Sequence, residues 1–479
     1  MSELPDSWSM STVGAVAKCI TGNTPPKNDP EYYGDFMPFV KPTQLLDGAV
    51  SDAPEKLSEK GAKVARVLEP NSVLVSCIGN LGKTAINGRK VAFNQQINAA
   101  VFNEGVEPKY GFYFFQSSSA RRQLENLSSA TTIAIVNKSK FQSVKIPIAP
   151  LPEQRRIVAR IEELFSRLDA GVAALRHAKA QLQRYRQSVL AAAVTGQLTQ
   201  AWREQKVAEA SRLSSPDKNQ RQDASATLPY ESAEDLLKRI LEQRREQWDG
   251  RGKYKEPLGY SGENPFDTPP TWALANFEQV SRRVTVGHVG SMKDEYTESG
   301  VPFLRGQNVR ANRFDPNGLK FVSREFHLSL SKSLIRGGDI AVTRSGDVGI
   351  ACVIPDELGE ANCSDLVLIQ GPVLLNPNFA AYYMNSLGRR LVRAGKVGVA
   401  ITHFNTQAVA AMPLPLPPLA EQHQIVAEVE ARTTAIDHLE AELDRQITRS
   451  NRLRQSILAS AFTGKLVPKG TEVASRMLS

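Results

Sequence analysis

Gly82-Lys83-Thr84, inside GNLGKTAI (Gly79–Ile86), comes nearest in this chain to a phosphate-binding loop. Such a loop cradles phosphates with backbone N–H groups and reaches them with its lysine. The pattern also needs a glycine five residues before Gly82, and that position is Cys77. The corresponding stretch of the second half, SGDVGIACVI, has no lysine. Both stretches therefore read as glycine turns between strands. Asn264-Pro265-Phe266 is similar to the N-P-P-F signature of amino-methyltransferases, but the second proline is absent. The six histidines (His177, His288, His327, His403, His423, His438) show neither H-E-x-x-H nor H-x-H spacing. No G-x-S-x-G nucleophile elbow occurs. Cys19, Cys77, Cys352 and Cys363 stand apart, which argues against a disulfide framework and against a structural zinc site. The sequence offers no catalytic machinery.

What remains is polar and basic material at corresponding places in two halves. The first half carries Lys41, Thr43, Gln44, Asn80, Lys83, Asn94, Gln95, Gln96, Asn137 and Lys138. The second carries Arg305, Gln307, Asn308, Arg344, Asp347, Ser364, Asp365, His403 and Asn405. Arg and Lys suit guanine edges, Asn and Gln suit adenine, and acids accept from cytosine, so these are the candidate DNA-binding residues. Arg121-Arg122 and Arg389-Arg390 recur after the aromatic runs Tyr110–Phe115 and Phe379–Tyr383. The aromatics read as core; the arginines read either as phosphate contacts or as helix-end charges.

The elements that would position these residues are set by an internal duplication. Glu153–Leu198 recurs without a gap as Glu421–Leu466, an offset of 268, with 19 identities over 46 paired positions. The first copy places Ile157, Ile161, Leu164, Leu168, Gly171, Leu175, Ala178, Leu182, Tyr185, Val189 and Ala192 at alternating steps of four and three. The second places Ile425, Val429, Ile436, Leu439, Leu443, Leu453 and Ile457 at matching sites, interrupted by Arg432, Gln446 and Ser450. Each copy is thus a helix of roughly 60 Å with a coiled-coil seam, and the simplest arrangement is that each seam buries the other. Gly196 and Gly464 should end the helices, and proline tracts lead into both. Upstream, Trp8 matches Trp272 and MPFVKPTQL matches VPFLRGQNV at an offset of 264. Short β-rich runs predict mixed α/β domains of about 140 residues.

The predicted organisation is a domain over 1–150, a long helix over 151–200, a linker over 201–265, a domain over 266–417, a second long helix over 418–466 and a short tail over 467–479. Within the linker, Arg203–Pro229 is polar and reads as flexible. Ser232–Trp248 reads as a helix capped by Ser232 and Asp235, with Leu237, Ile240, Leu241 and Trp248 on one face that needs a partner.

At 479 residues the chain is too long for one ordinary core. Its net charge of +9 favours a polyanionic partner. The N-terminus has no basic-then-apolar signal pattern and no run approaches a membrane span, so the expected location is cytoplasmic.

A variable domain, a proline-rich lead into E-Q-x-x-I-V, a long helix closing in T-G-[KQ]-L, and the whole scheme repeated resemble the specificity subunit of type I restriction-modification enzymes. SCIGNLGKTAI and the linker segment SAEDLLKRILEQRREQW are also similar to that family. The resemblance implies an α+β fold: two mixed α/β target recognition domains separated by two long antiparallel coiled-coil helices, with a pseudo-two-fold repeat. It implies that each domain reads half of an interrupted, asymmetric double-stranded DNA site, and that the coiled coil sets the spacing. It implies two modification subunits that bind S-adenosylmethionine and methylate adenine, and two motor-nuclease subunits using ATP and magnesium. This chain itself would hold no cofactor and catalyse nothing. A coiled-coil scaffold without sequence-specific DNA binding is the alternative; it leaves the duplicated, diverged domains unexplained.

Overall fold

The computed structural model describes residues 4–129, 133–213, 231–248, 252–393 and 405–468. They fall into two compact units. One combines Met1–Ala178 with Glu442–Ser479; the other is Lys179–Ala441. Each is built on the same plan.

In the first unit a mixed sheet runs Ala17–Thr21, Ile97–Phe102, Val73–Ser76, Thr84–Asn87, Gly48–Val50. In the second, Ser281–Val286, Leu366–Pro372, Ile340–Thr343 and Ala351–Val353 repeat the first four places in the same order. A second, four-stranded sheet accompanies each. The β-rich runs NSVLVSCIG and GGDIAVTRSG supply the third strands, whose residues are buried on both faces. That double burial explains their near-continuous apolar character.

The proline leads are not free spacers. Lys145–Ile148 pairs antiparallel with Ser9–Thr12, and Pro413–Leu416 pairs antiparallel with Ala273–Asn276. Each domain's first strand therefore clamps its last. Proline is tolerated because a two-stranded ribbon leaves one side of each strand outside the ladder.

The long helices span Leu151–Val194 and Leu419–Ala461. Gly196 and Gly464 follow them with φ of 77° and 72°, the left-handed conformation that glycine adopts without a Cβ clash. Each unit contains the start of one helix and the end of the other, running antiparallel. In the first unit Asp169 pairs with Arg454; in the second Arg186 pairs with Asp437. These two pairs are images of each other, since 169 and 437, like 186 and 454, differ by the repeat offset of 268. All four side chains are at least partly exposed, so each pair contributes no more than about 1 kcal/mol. Their effect is on register rather than on stability.

One column of the predicted seam differs. Ile161, Leu168, Leu175, Leu182 and Val189 are buried or half-buried, as are Ile425, Val429, Ile436, Leu443 and Ile457. Leu164 is half-buried, but Phe165 takes the deeper position beside it. Val172 is buried where Gly171 is exposed, and Tyr185 is 47% exposed. In the second helix Leu439 and Leu453 are 53% and 47% exposed, and Glu440 and Arg454 turn inward instead. The inward column is Phe165, Val172, Lys179, Arg186 and Ala193, one residue later than the apolar spacing indicated. Mid-helix it carries charge, so apolar counting misses it.

The ends of the helices complete the domain cores. Phe462 packs edge-on to Tyr110 and Phe114, with ring centroids 5.1 and 5.4 Å away. Val189, Leu190 and Ala193 join Trp272, Phe277, Phe379 and Tyr383 in the core of the second unit. At the helix starts the glutamine of each E-Q pair is wholly buried. Gln154 Oε1 accepts the Glu107 N–H at 2.9 Å while its Nε2 donates to Ala149 O at 2.7 Å. Gln422 does the same with Asn376 N–H at 2.7 Å and Pro417 O at 3.0 Å. Each glutamine thus ties an aromatic helix, Pro108–Gln116 or Pro377–Tyr383, to the proline lead. The adjoining glutamates diverge. Glu421 is buried and accepts from Thr199 at 2.7 Å, Arg203 at 2.5 Å and Trp272 Nε1 at 2.9 Å. The Trp8 Nε1 has no partner among the described residues.

The linker differs from expectation in two places. Gln200–Leu213 is helical where a flexible stretch was expected from Arg203, while 214–230 lies outside the described residues. The capped helix spans Ala233–Glu246, and Ser232 Oγ accepts the Asp235 N–H at 3.1 Å. Its buried stripe is Ala233, Leu236 and Ile240, packed within the second unit. Leu237 and Leu241 are only half-buried, and Trp248 is 42% exposed. Of the apolar face that needs a partner, this chain buries Ile240 and covers Leu237 and Leu241 in part. Among the described residues no helix is long and apolar enough to cross a membrane.

Two outcomes follow for stability. Phe462→Ala empties a ring site in the first unit and should cost about 3–5 kcal/mol, read as a fall in the denaturant midpoint with early proteolysis in that unit. Gln422→Leu leaves a buried N–H and a carbonyl unpaired and should cost about 2 kcal/mol or more, with Gln154→Leu behaving alike in the other unit. Equal stability of Gln422→Leu and the parent would show that the glutamine bridge is dispensable.

Candidate nucleic-acid interface

The segment Lys41–Gln44 leaves the strand Tyr33–Val40 through a short 3-10 turn, and Arg305–Asn308 leaves Val301–Leu304 in the same way. Gln44 and Asn308 close these turns. Gln44 Oε1 accepts the Lys41 N–H at 2.9 Å, and Asn308 Oδ1 accepts the Arg305 N–H at 3.0 Å. Asn308 is fully buried and its amide also donates to Asp315 O at 2.9 Å. As a base reader Asn308 is therefore corrected to a turn former, and most of Gln44's capacity is spent likewise. Lys41 reaches Glu55 at 2.5 Å, while Arg305 and Gln307 donate to Gly318 O at 2.8 and 3.1 Å. Thr43 and Gln307 stand exposed at the turn tips.

The glycine stretches are turns between strands, identical in construction in both units. Ser76 Oγ donates to Asn80 O at 2.6 Å and accepts the Lys83 N–H at 2.9 Å. Thr343 Oγ1 donates to Asp347 O at 2.7 Å and accepts the Ile350 N–H at 3.0 Å. The glycines have φ of 75° and 78° (Gly79, Gly82) and of 68° and 82° (Gly346, Gly349), so a side chain at any of them would strain the turn. Asn80 and Asp347 occupy the same exposed tip. Cys77 is buried and desolvation pushes its thiol up to about 12, which leaves it inert, whereas its counterpart Arg344 is half-buried. Arg344 Nε lies 3.3 Å from Asp365 Oδ1 without hydrogen-bond geometry. Asp365 has φ of 51°, and Ser364 beside it is half-buried.

Backbone hydrogen bonds gather these segments on one edge of each domain. Asn94 N–H donates to Val40 O, Cys77 N–H to Gln96 O, Gly79 N–H to Ala134 O, and Asp47 N–H to Thr84 O, at 2.8–3.1 Å. In the second unit Ser364 N–H donates to Leu304 O at 3.0 Å, and Asp365 N–H to His288 O at 3.2 Å. Lys83 and Gln96 are half-buried, Gln95 is exposed and accepts from Thr24 at 2.5 Å, and Lys138 is exposed.

Three further asparagines have structural duties. Asn94 is buried and bonds Gln96 at 3.0 Å. Asn137 and Asn405, separated by 268, cap the helices Lys138–Gln142 and Thr406–Ala410 through Lys140 N–H at 2.9 Å and Ala408 N–H at 2.8 Å. His403 lies outside the described residues. Glu55, which holds Lys41, is not among the residues singled out from the sequence. Arg121 runs beside Gly82, while Arg389 runs beside Gly349 and pairs with Asp347. The recurrence of the arginine pairs across the repeat already marks them, and the structure sets the first of each pair against a glycine turn.

The description "Type I restriction modification DNA specificity domain" fits residues 5–175 and again residues 289–449. The chain is 25% identical over 467 residues to the type I restriction enzyme EcoBI specificity subunit of Escherichia coli, covering 96% of this chain and 86% of that one. It is 23% identical over 497 residues to the EcoKI specificity subunit of Escherichia coli strain K12, covering 97% and 90%. A solved structure described as "Structural basis underlying complex assembly and conformational transition of the type I R-M system" shares the fold, with a TM-score of 0.66 at 19% identity over 97% of this chain and 99% of that one. With one family description met twice, each time by a domain of the same strand order, the chain belongs to the type I restriction-modification DNA specificity family.

Proposed function

We propose that each unit reads one half of an interrupted, asymmetric DNA site and that the paired helices fix the number of base pairs between the halves. The observation that carries this is one scaffold used twice with different tips. The turns and glycine loops correspond, yet Lys41 is matched by Arg305, Thr43 by Gln307, Asn80 by Asp347 and Cys77 by Arg344 in the repeat. Equal frames with unequal donors and acceptors select unequal bases. A single chain can then read a site that is not a palindrome. A pure scaffold has no need to keep the loop geometry while changing the tips.

The chain is a specificity subunit and not itself an enzyme. Chemistry belongs to its partners: two modification subunits that hold S-adenosylmethionine and methylate adenine, and two restriction subunits that use ATP and magnesium. Lys41, Thr43, Asn80, Lys83, Gln95, Gln96 and Lys138 are the contacts of the first half-site. Arg305, Gln307, Arg344, Asp347, Ser364 and Asp365 serve the second. The assembly works in the cytoplasm, where chromosomal and incoming DNA meet.

Exchanging residues 1–145 for the matching domain of a relative should change one half of the methylated motif and leave the other as it was. Genome-wide mapping of methylated adenines reads both halves at once. A motif altered in both halves would contradict independent reading. Within one half, Arg344→Ala should relax base choice by about 1–3 kcal/mol at one position. The first half-site should be unaffected.

A further inference from the structure

The two repeats keep residues that their own structure does not account for. Identity at buried places such as Leu190 and Leu458 follows from the cores they fill. Identity of Arg186 and Arg454 follows from their ion pairs. Arg184 and Arg452 are also identical across the repeat, as are Arg122 and Arg390. All four are exposed, and among the described residues none makes an ion pair.

Two of these arginines line one groove. In the second unit a groove of about 530 Å³ between the end of the first long helix and the segment 387–390 is lined by Arg184, Arg390, Ala191 and Ala192. No acidic side chain lines it. In the first unit Gln455 holds the end of the second long helix against the helix Ser118–Leu127. Its Oε1 accepts the Ser118 N–H at 2.9 Å and its Nε2 donates to Gln116 O at 3.2 Å. Gln187, the repeat counterpart of Gln455, lines the groove of the second unit, and Arg452 and Arg122 are the counterparts of Arg184 and Arg390. The nearby hydroxyls are already committed to the helices, since Ser188 donates to Tyr185 O at 2.8 Å and Thr195 to Ala191 O at 2.9 Å. The guanidinium groups and the amides of Gln187 and Gln197 are left to donate outward.

We propose that Arg184 with Arg390, and Arg452 with Arg122, are two equivalent clamps for the DNA sugar-phosphate backbone. The two half-sites differ in their bases, and the loop tips that face them have diverged. Their backbones are chemically the same, so a backbone contact is what both repeats have reason to keep. The clamps also adjoin the base-facing loops, because Arg121 and Arg389, the preceding residues, run beside Gly82 and Gly349. A fork of N–H donors suits a phosphate, and small alanines in the lining allow a strand to approach closely. A protein partner present twice would be the competing occupant; two arginines with no acidic side chain in the lining, and the continuity with the loops, favour DNA.

This inference rests on the DNA-reading function proposed above, and the test separates the two. The chain is purified with its modification subunit, and binding to a duplex carrying its methylated motif and to a scrambled duplex is measured between 50 and 200 mM salt (the range over which phosphate contacts are felt). Each of Arg122→Gln, Arg184→Gln, Arg390→Gln and Arg452→Gln should lower the slope of log affinity against log salt by about 0.9. Each should weaken both duplexes by the same factor and leave the methylated motif unchanged, while the Arg→Lys variants keep the slope. A quadruple Arg→Gln variant with the parent slope would overturn the clamps. So would a quadruple variant that loses its modification subunit, while whatever complex remains binds DNA with the parent slope. A parent complex with no preference for its motif would instead remove the reading on which the clamps rest.

Discussion

Neither recognition domain closes its core with residues of its own repeat alone. Phe462, from the end of the second helix, lies among Tyr110 and Phe114. Val189, Leu190 and Ala193, from the end of the first, lie among Trp272 and Phe379. Burying such side chains is worth about 1.5–3 kcal/mol each, far more than the exposed ion pairs along the helices. Apolar burial at the helix ends therefore carries the stability, and the Asp169–Arg454 and Arg186–Asp437 pairs choose the register in which that burial happens. The buried Gln154 and Gln422 then orient each helix start against its own domain. Placement of the loops follows from these three layers of contact.

Much of the fold was legible because duplication gave two readings of each element. Helix limits followed from Gly196 and Gly464, which must adopt positive φ. The strand runs followed from continuous apolar stretches bounded by glycine. The seam was legible in one column and not the other, for a physical reason. Its second column contains Lys179, Arg186, Glu440 and Arg454, whose long stems can lie along a seam while their charges reach a partner or solvent. A rule that counts apolar residues moves such a column by one place, to Leu439 and Leu453.

For the candidate interface, the sequence pointed to segments that the fold brings together, and less clearly to residues. All four segments named from the sequence in the first half converge on one edge. Within them, Asn and Gln are ambiguous, because the same amide that reads adenine also closes turns and caps helices. Asn308, Asn94, Asn137 and Asn405 proved to be of the second kind, and only burial and hydrogen bonding distinguish the two. Lys41, Arg305 and Arg344 also have partners within the fold, Glu55, Gly318 O and Asp365, so charge alone does not separate a reader from a loop tie.

The discontinuity of the first unit bears on how the chain is made. Lys179–Ala441 is contiguous and has its whole core available once it has emerged from the ribosome. The domain that is synthesised first needs Glu442 and beyond, so its contacts span most of the sequence. At typical synthesis rates the intervening stretch takes on the order of 10–50 s, during which Tyr110 and Phe114 lack Phe462. Closing so long a loop is also intrinsically slow. The first domain made is thus the last to finish folding, and in the interval its exposed aromatic cluster is a natural target for chaperones.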